Sequence, residues 1–144
     1  MNVTHDITPV IRLYDGQQER EIQLSRDAGL DVSVYASLTY DAGQMHEIRL
    51  GLLAGIDVTI YADPSYTAQQ MAIIRMGLTM RLDVSWYADP DLDPDRMEEI
   101  RKGLEADLDI SVYADPDIPA GLMAAMRECL ENGYRVIRDP EMES

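Results

Sequence analysis

The chain has 144 residues, 27 of them acidic and 12 basic, for a formal charge of -15, and Lys102 is its only lysine. An excess of that sign disfavours bare nucleic acid and anionic membrane surfaces as partners and favours basic proteins. No apolar run approaches a membrane span, the N-terminus lacks a basic start followed by an apolar block, and Cys129 has no second cysteine to pair with, so a soluble cytoplasmic protein is expected.

Residues 1–30 read as an N-terminal capping unit. An irregular strand is expected at DITPV from Asp6, where Pro9 marks a sheet edge. A helix follows, opened by a capping box of Asp15 and Gln18 and running through Ile22 to Gly29.

Residues 31–134 are one 26-residue unit written four times without a gap, with openings DVSVYA at Asp31, DVTIYA at Asp57, DVSWYA at Asp83 and DISVYA at Asp109. A fixed period of this size is the mark of a solenoid, whose units are too small to fold alone and must stack. The openings alternate apolar and polar residues, which predicts a strand. Valines at positions 2 and 4 of the unit then point inward with Trp86, and position 3 (Ser33, Thr59, Ser85, Ser111) and position 5 (Tyr35, Tyr61, Tyr87, Tyr113) point outward.

A helix is expected in the second half of each unit. Asp41 with Gln44 and Thr67 with Gln70 form capping boxes, and Pro94 after Asp93 suits a first helical position. The stripe of Met45, Ile48, Leu52 and Ile56 recurs in later copies. Gly29, Gly55 and Gly133 suit left-handed caps, with Arg81 and Asp107 in their place in the middle copies. Gly51, Gly77 and Gly103 lie in mid-helix and predict close packing, a column that Cys129 joins as a small residue. Residues 135–144 read as a C-terminal capping strand, RVIRDP, and a tail.

Strands joined by single helices through right-handed crossovers place every helix on one side. The expected fold is therefore α/β: an open single-layer parallel sheet with helices on one face and a bare second face. The four tyrosines would form a ladder on that face. It serves as a self-stacked ornament of the fold, a docking surface for a partner, or the interface of a homodimer.

Two further columns carry charge. Asp31, Asp57, Asp83 and Asp109 repel one another at strand spacing, and Arg49, Arg75, Arg101 and Arg127 recur in step with them, so a neutralising structural ladder is expected. The other reading leaves those aspartates in solvent beside the tyrosines to bind a cationic peptide. Asp89, Asp91, Asp93 and Asp95 in DPDLDPD lack the glycine and glutamate of a calcium loop and read as a solvated acidic turn. His5 and His46 have no metal-ligand neighbourhood, so neither metal, cofactor nor catalytic constellation is expected.

The DVSVYA opening, the ADP turn at Asp63, Asp89 and Asp115, and the MxxIRxGL helix together resemble a repeat of uncharacterised bacterial and phage-associated proteins, over residues 31 to 134. In architecture the unit is similar to leucine-rich repeats, without their LxxLxLxxN signature. The resemblance implies a repeat fold and supplies no site. The function expected is a non-enzymatic protein-interaction module or homo-oligomer, using the tyrosine and serine face with Asp89, Asp91 and Asp95 at its acidic edge. The alternative is a small acidic inhibitor that mimics nucleic acid in the basic groove of a nuclease or defence protein.

Overall fold

The structure, a computed structural model, describes residues 14–34 and 39–137. Five α-helices of 12 residues each are spaced by the repeat: α1 (Gly16–Asp27), α2 (Ala42–Leu53), α3 (Ala68–Thr79), α4 (Pro94–Glu105) and α5 (Ala120–Glu131). Between them the segments expected to be strands are single turns of 3₁₀ helix, at Val32–Val34, Val58–Ile60, Val84–Trp86 and Ile110–Val112. The described residues contain no strand, which overturns the expected parallel sheet and α/β class. The period and the stacking of units remain; the fold is a solenoid of alternating α and 3₁₀ helices. The strand expected from Asp6 and the end of RVIRDP fall outside the described residues, as does Tyr35.

The opening Asp explains the difference. Its side chain accepts the backbone N–H two residues on, at 3.1 Å for Asp57 to Thr59 and 3.2 Å for Asp83 to Ser85 and Asp109 to Ser111. That local bond closes a turn and competes with any ladder between strands. Each turn ends when the Tyr61, Tyr87 or Tyr113 N–H bonds the carbonyl three residues back. A second side-chain turn follows directly, in which Asp63 accepts from the Ser65 N–H, Asp89 from Asp91 and Asp115 from Asp117.

The α-helices begin where their caps require. Asp15, Asp41 and Thr67 close full capping boxes with Gln18, Gln44 and Gln70, and Asp93 caps α4 ahead of Pro94. The glutamines have a second use. With Oε1 on the cap N–H, each turns its Nε2 outward to the next copy: Gln18 to the Tyr40 carbonyl at 2.6 Å, Gln44 to Tyr66 at 2.6 Å and Gln70 to Leu92 at 2.8 Å. Arg96 replaces glutamine in the third copy and makes the same reach, Nε to the Ile118 carbonyl at 2.8 Å.

The helices end in Schellman motifs, shown by bonds such as the Leu82 N–H to the Gly77 carbonyl and the Arg81 N–H to Leu78. These place the residue at position 25 in the left-handed region, at φ 60° for Arg81 and 57° for Asp107. Only glycine adopts it without a Cβ penalty. Arg81→Gly is therefore expected to stabilise the fold by about 0.5–1 kcal/mol, less whatever the freer unfolded chain takes back, and to raise the melting temperature by about 2–4 °C in a thermal scan.

Each α-helix packs on the next one and on the 3₁₀ turn of the following copy. Met45, Met71, Met97 and Met123 with Ile48, Ile74 and Ile100 form the buried line between layers, joined by Val58, Val84 and Ile110 from the turns. Burying side chains of this size stabilises by roughly 1.5–3 kcal/mol each, gained only when the neighbouring copy is in place.

Candidate functional site

A 3₁₀ turn has three residues per revolution, so positions 2 and 5 share one side where in a strand positions 2 and 4 would. Tyr61, Tyr87 and Tyr113 are consequently fully buried, and the expected tyrosine face does not exist among the described residues. Each ring enters the preceding helix. Tyr61 donates its hydroxyl to the Glu47 carbonyl at 2.7 Å, Tyr87 to Ile73 at 3.2 Å and Tyr113 to Glu99 at 2.7 Å.

The carbonyl reached lies four residues before a mid-helix glycine. A Cβ added to Gly51, Gly77 or Gly103 would lie 2.1, 1.9 or 2.0 Å from that hydroxyl oxygen. The glycine column is thus the socket and the tyrosine column the plug. Desolvation pushes the Tyr113 phenol up to about 12 and raises Tyr61 and Tyr87 as well, with nearby Glu99, Glu47 and Glu98 adding to it and the arginines opposing.

What the turns expose instead is position 4. Trp86, expected in the core, is 46% exposed and Ile60 41%, with Val112 half-buried beside them in sequence register. These residues give the 3₁₀ edge an apolar row. Around it the segments 57–66, 83–95 and 109–119 contain ten aspartates and neither lysine nor arginine. Asp57, Asp83 and Asp109 are exposed, as are Asp31, Asp89, Asp91, Asp95 and Asp117.

Several of these carboxylates also shape the backbone. The Thr59, Ser85 and Ser111 hydroxyls, expected to face a partner, lie in solvent but donate to the aspartate of their own turn. Ser33 is exposed and bonds Asp31 through its N–H, and its hydroxyl and N–H hold the Asp31 carboxyl below the ordinary value. DPDLDPD resolves into the Asp89 turn and the Asp93 cap, and no group of residues able to hold a metal occurs among the described residues.

The expected pairing of the Asp and Arg columns is also corrected. The arginines reach glutamates of the preceding helix: Arg49 to Glu21 at 2.7 Å, Arg75 to Glu47 at 2.8 Å and Arg127 to Glu99 at 2.8 Å. Ile73 stands where Arg101 would find that glutamate, so Arg101 turns to Glu98 and Glu105 of its own helix. The aspartates are on the other layer, engaged in their turns. Arg96 bonds the Asp93 carboxylate at the start of α4, while Arg49, Arg75 and Arg127 are engaged within the α-helical layer, so the 3₁₀ edge keeps a strong acidic excess.

Sequence reasoning missed the exposed row. The available signal was variation within the repeat: position 5 is tyrosine in all four copies, whereas position 4 is Val34, Ile60, Trp86 and Val112. A socket fixes its residue and an open surface does not. No helix of the described residues is long and apolar enough to cross a membrane. No known protein family, curated protein or solved structure matches this chain.

Proposed function

We propose that the protein is a non-catalytic interaction module that holds a basic partner protein against its 3₁₀ edge. The observation that carries this reading is an exposed tryptophan on an edge whose three segments hold ten aspartates and neither lysine nor arginine. Trp86 supplies the kind of anchor that dominates binding energy, with Ile60 and Val112 extending it. The acids supply steering and selection against acidic competitors. Cys129, free and exposed, suits a reducing compartment, and the cytoplasm is the proposed location.

The ten aspartates alone also favour a second reading, a mimic of nucleic acid that fills a basic groove. The two differ in what the tryptophan does. Anisotropy of a labelled arginine–leucine peptide, against an arginine–serine peptide of equal charge, separates them. For the interaction module, Trp86→Ser weakens the leucine peptide about tenfold or more, which is roughly 1.4 kcal/mol, and scarcely affects the serine peptide. Asp91→Asn with Asp95→Asn and Asp117→Asn weakens both and flattens their salt dependence. Equal binding of both peptides that ignores Trp86→Ser would replace the module with the mimic.

A further inference from the structure

The helical layer carries a second surface of a different character. At the outward positions α4 has Asp95, Glu98, Lys102 and Glu105, where α2 has Gly43, His46, Leu50 and Leu53 and α3 has Gln69, Ala72, Met76 and Thr79, a face without the charge of α4's. Leu53 is 53% exposed, Met80 40% and Met76 39%, and Leu24 on α1 adds 38%. These protruding side chains sit on the C-terminal halves of their helices or, for Met80, on the residue that caps α3. The N-terminal halves do the opposite. Small residues there, among them Gly43, Ala68 and Ala72, leave a groove of about 400 Å³ across α1 to α3.

One face therefore bears both a ridge and a groove, at opposite ends of the same helices. A two-fold axis through its middle would run the helices of two copies antiparallel, setting each ridge over the other's groove. Such self-complementarity is what an isologous interface requires. The groove's carboxylates do not oppose it, since Glu21 is paired with Arg49 and Glu47 with Arg75. We infer that two copies of this chain associate back to back through the outer face of α2 and α3, leaving the acidic 3₁₀ edges pointing away from each other.

Helices about 18 Å long and about 8–10 Å apart give a footprint of several hundred Å² per copy, below the roughly 800 Å² of a standard interface. The dimer is accordingly weak, forming in the micromolar range. Its salt dependence has a distinctive sign. Each copy carries -15, so screening strengthens this association, whereas it weakens the capture of a basic partner.

Sedimentation equilibrium of the full chain from about 1 to about 300 μM, at about 0.05 and about 0.5 M NaCl, tests this. The expected mass rises from 16.2 kDa toward twice that value, further at high salt. Leu53→Gln with Met76→Gln on the ridge, and separately Ala72→Arg in the groove, should each raise the dissociation constant tenfold or more. Ile60→Ser with Trp86→Ser should leave it unchanged, which keeps failure here distinct from failure of the 3₁₀ edge as a partner site. A mass fixed at 16.2 kDa throughout, or association that survives both ridge and groove variants, or that is lost only with Trp86, overturns the inference.

Discussion

Gly77→Ala is expected to destabilise the protein by about 3 kcal/mol or more, although alanine is favoured over glycine in a helix interior by up to about 1 kcal/mol. The methyl would lie 1.9 Å from the Tyr87 hydroxyl oxygen and 2.8 Å from Val84 Cγ1, and Tyr87 is wholly buried. Neither neighbour can step aside, because Tyr87 is held by the Ile73 carbonyl and Val84 packs in the core. Urea unfolding monitored by circular dichroism measures the change. Tyr87→Phe alone should cost about 1 kcal/mol for its lost hydrogen bond. Added to Gly77→Ala, the same change should instead recover about 1–2 kcal/mol, since it removes the atom in the way. Strict additivity would show that the hydroxyl is not what fills the socket.

The same three plugs make the fold sensitive to base. Burial raises the Tyr61, Tyr87 and Tyr113 phenols above their ordinary value of 10.0, Tyr113 to about 12. In the unfolded chain these groups ionise near pH 10; in the folded chain they stay protonated. The native state thus holds more protons above pH 10, and stability present below that pH is lost as it rises. Each tyrosine contributes a slope of at most about 1.4 kcal/mol per pH unit, so the three together reach about 4 kcal/mol per unit near pH 11, with less at pH 10, where the unfolded groups are only half ionised. Tyrosinate absorbance near 295 nm, with circular dichroism alongside, should show the ionisation of Tyr61, Tyr87 and Tyr113 coinciding with loss of the helices. A smooth titration of all tyrosines with the helices intact would contradict the buried plugs.

Much of the fold was legible in the sequence. The repeat, the caps at Asp15, Asp41 and Thr67, and the left-handed ends at Gly29, Gly55 and Gly133 were all readable because each depends on a residue's own backbone and near neighbours. DVSVYA was not, because six residues alternating in polarity satisfy a strand pattern and a capped 3₁₀ turn equally. The deciding facts lie elsewhere: a tyrosine needs a socket 10 residues upstream in sequence, such as Gly51 for Tyr61. Gly51, Gly77 and Gly103 signalled a close approach, but not by what. The turn assignment then decided the site. Misplacing positions 4 and 5 exchanged Trp86 for the tyrosines as the surface group and hid the acidic row's apolar centre.

The final copy breaks the pattern in three places at once. Leu122 replaces the linking glutamine, Ala125 the glutamate that receives an arginine, and Cys129 the socket glycine. The array therefore has a direction of growth. A duplicated unit of 26 residues inserted at the Asp57, Asp83 or Asp109 boundary would find a socket glycine before it and supply one to its successor, so the molecule can be lengthened from within. A unit appended after α5 would find its tyrosine facing a thiol and its turn carbonyl facing a leucine. Expansion by internal duplication keeps every tyrosine matched to a glycine, whereas a copy stacked directly on α5 would not.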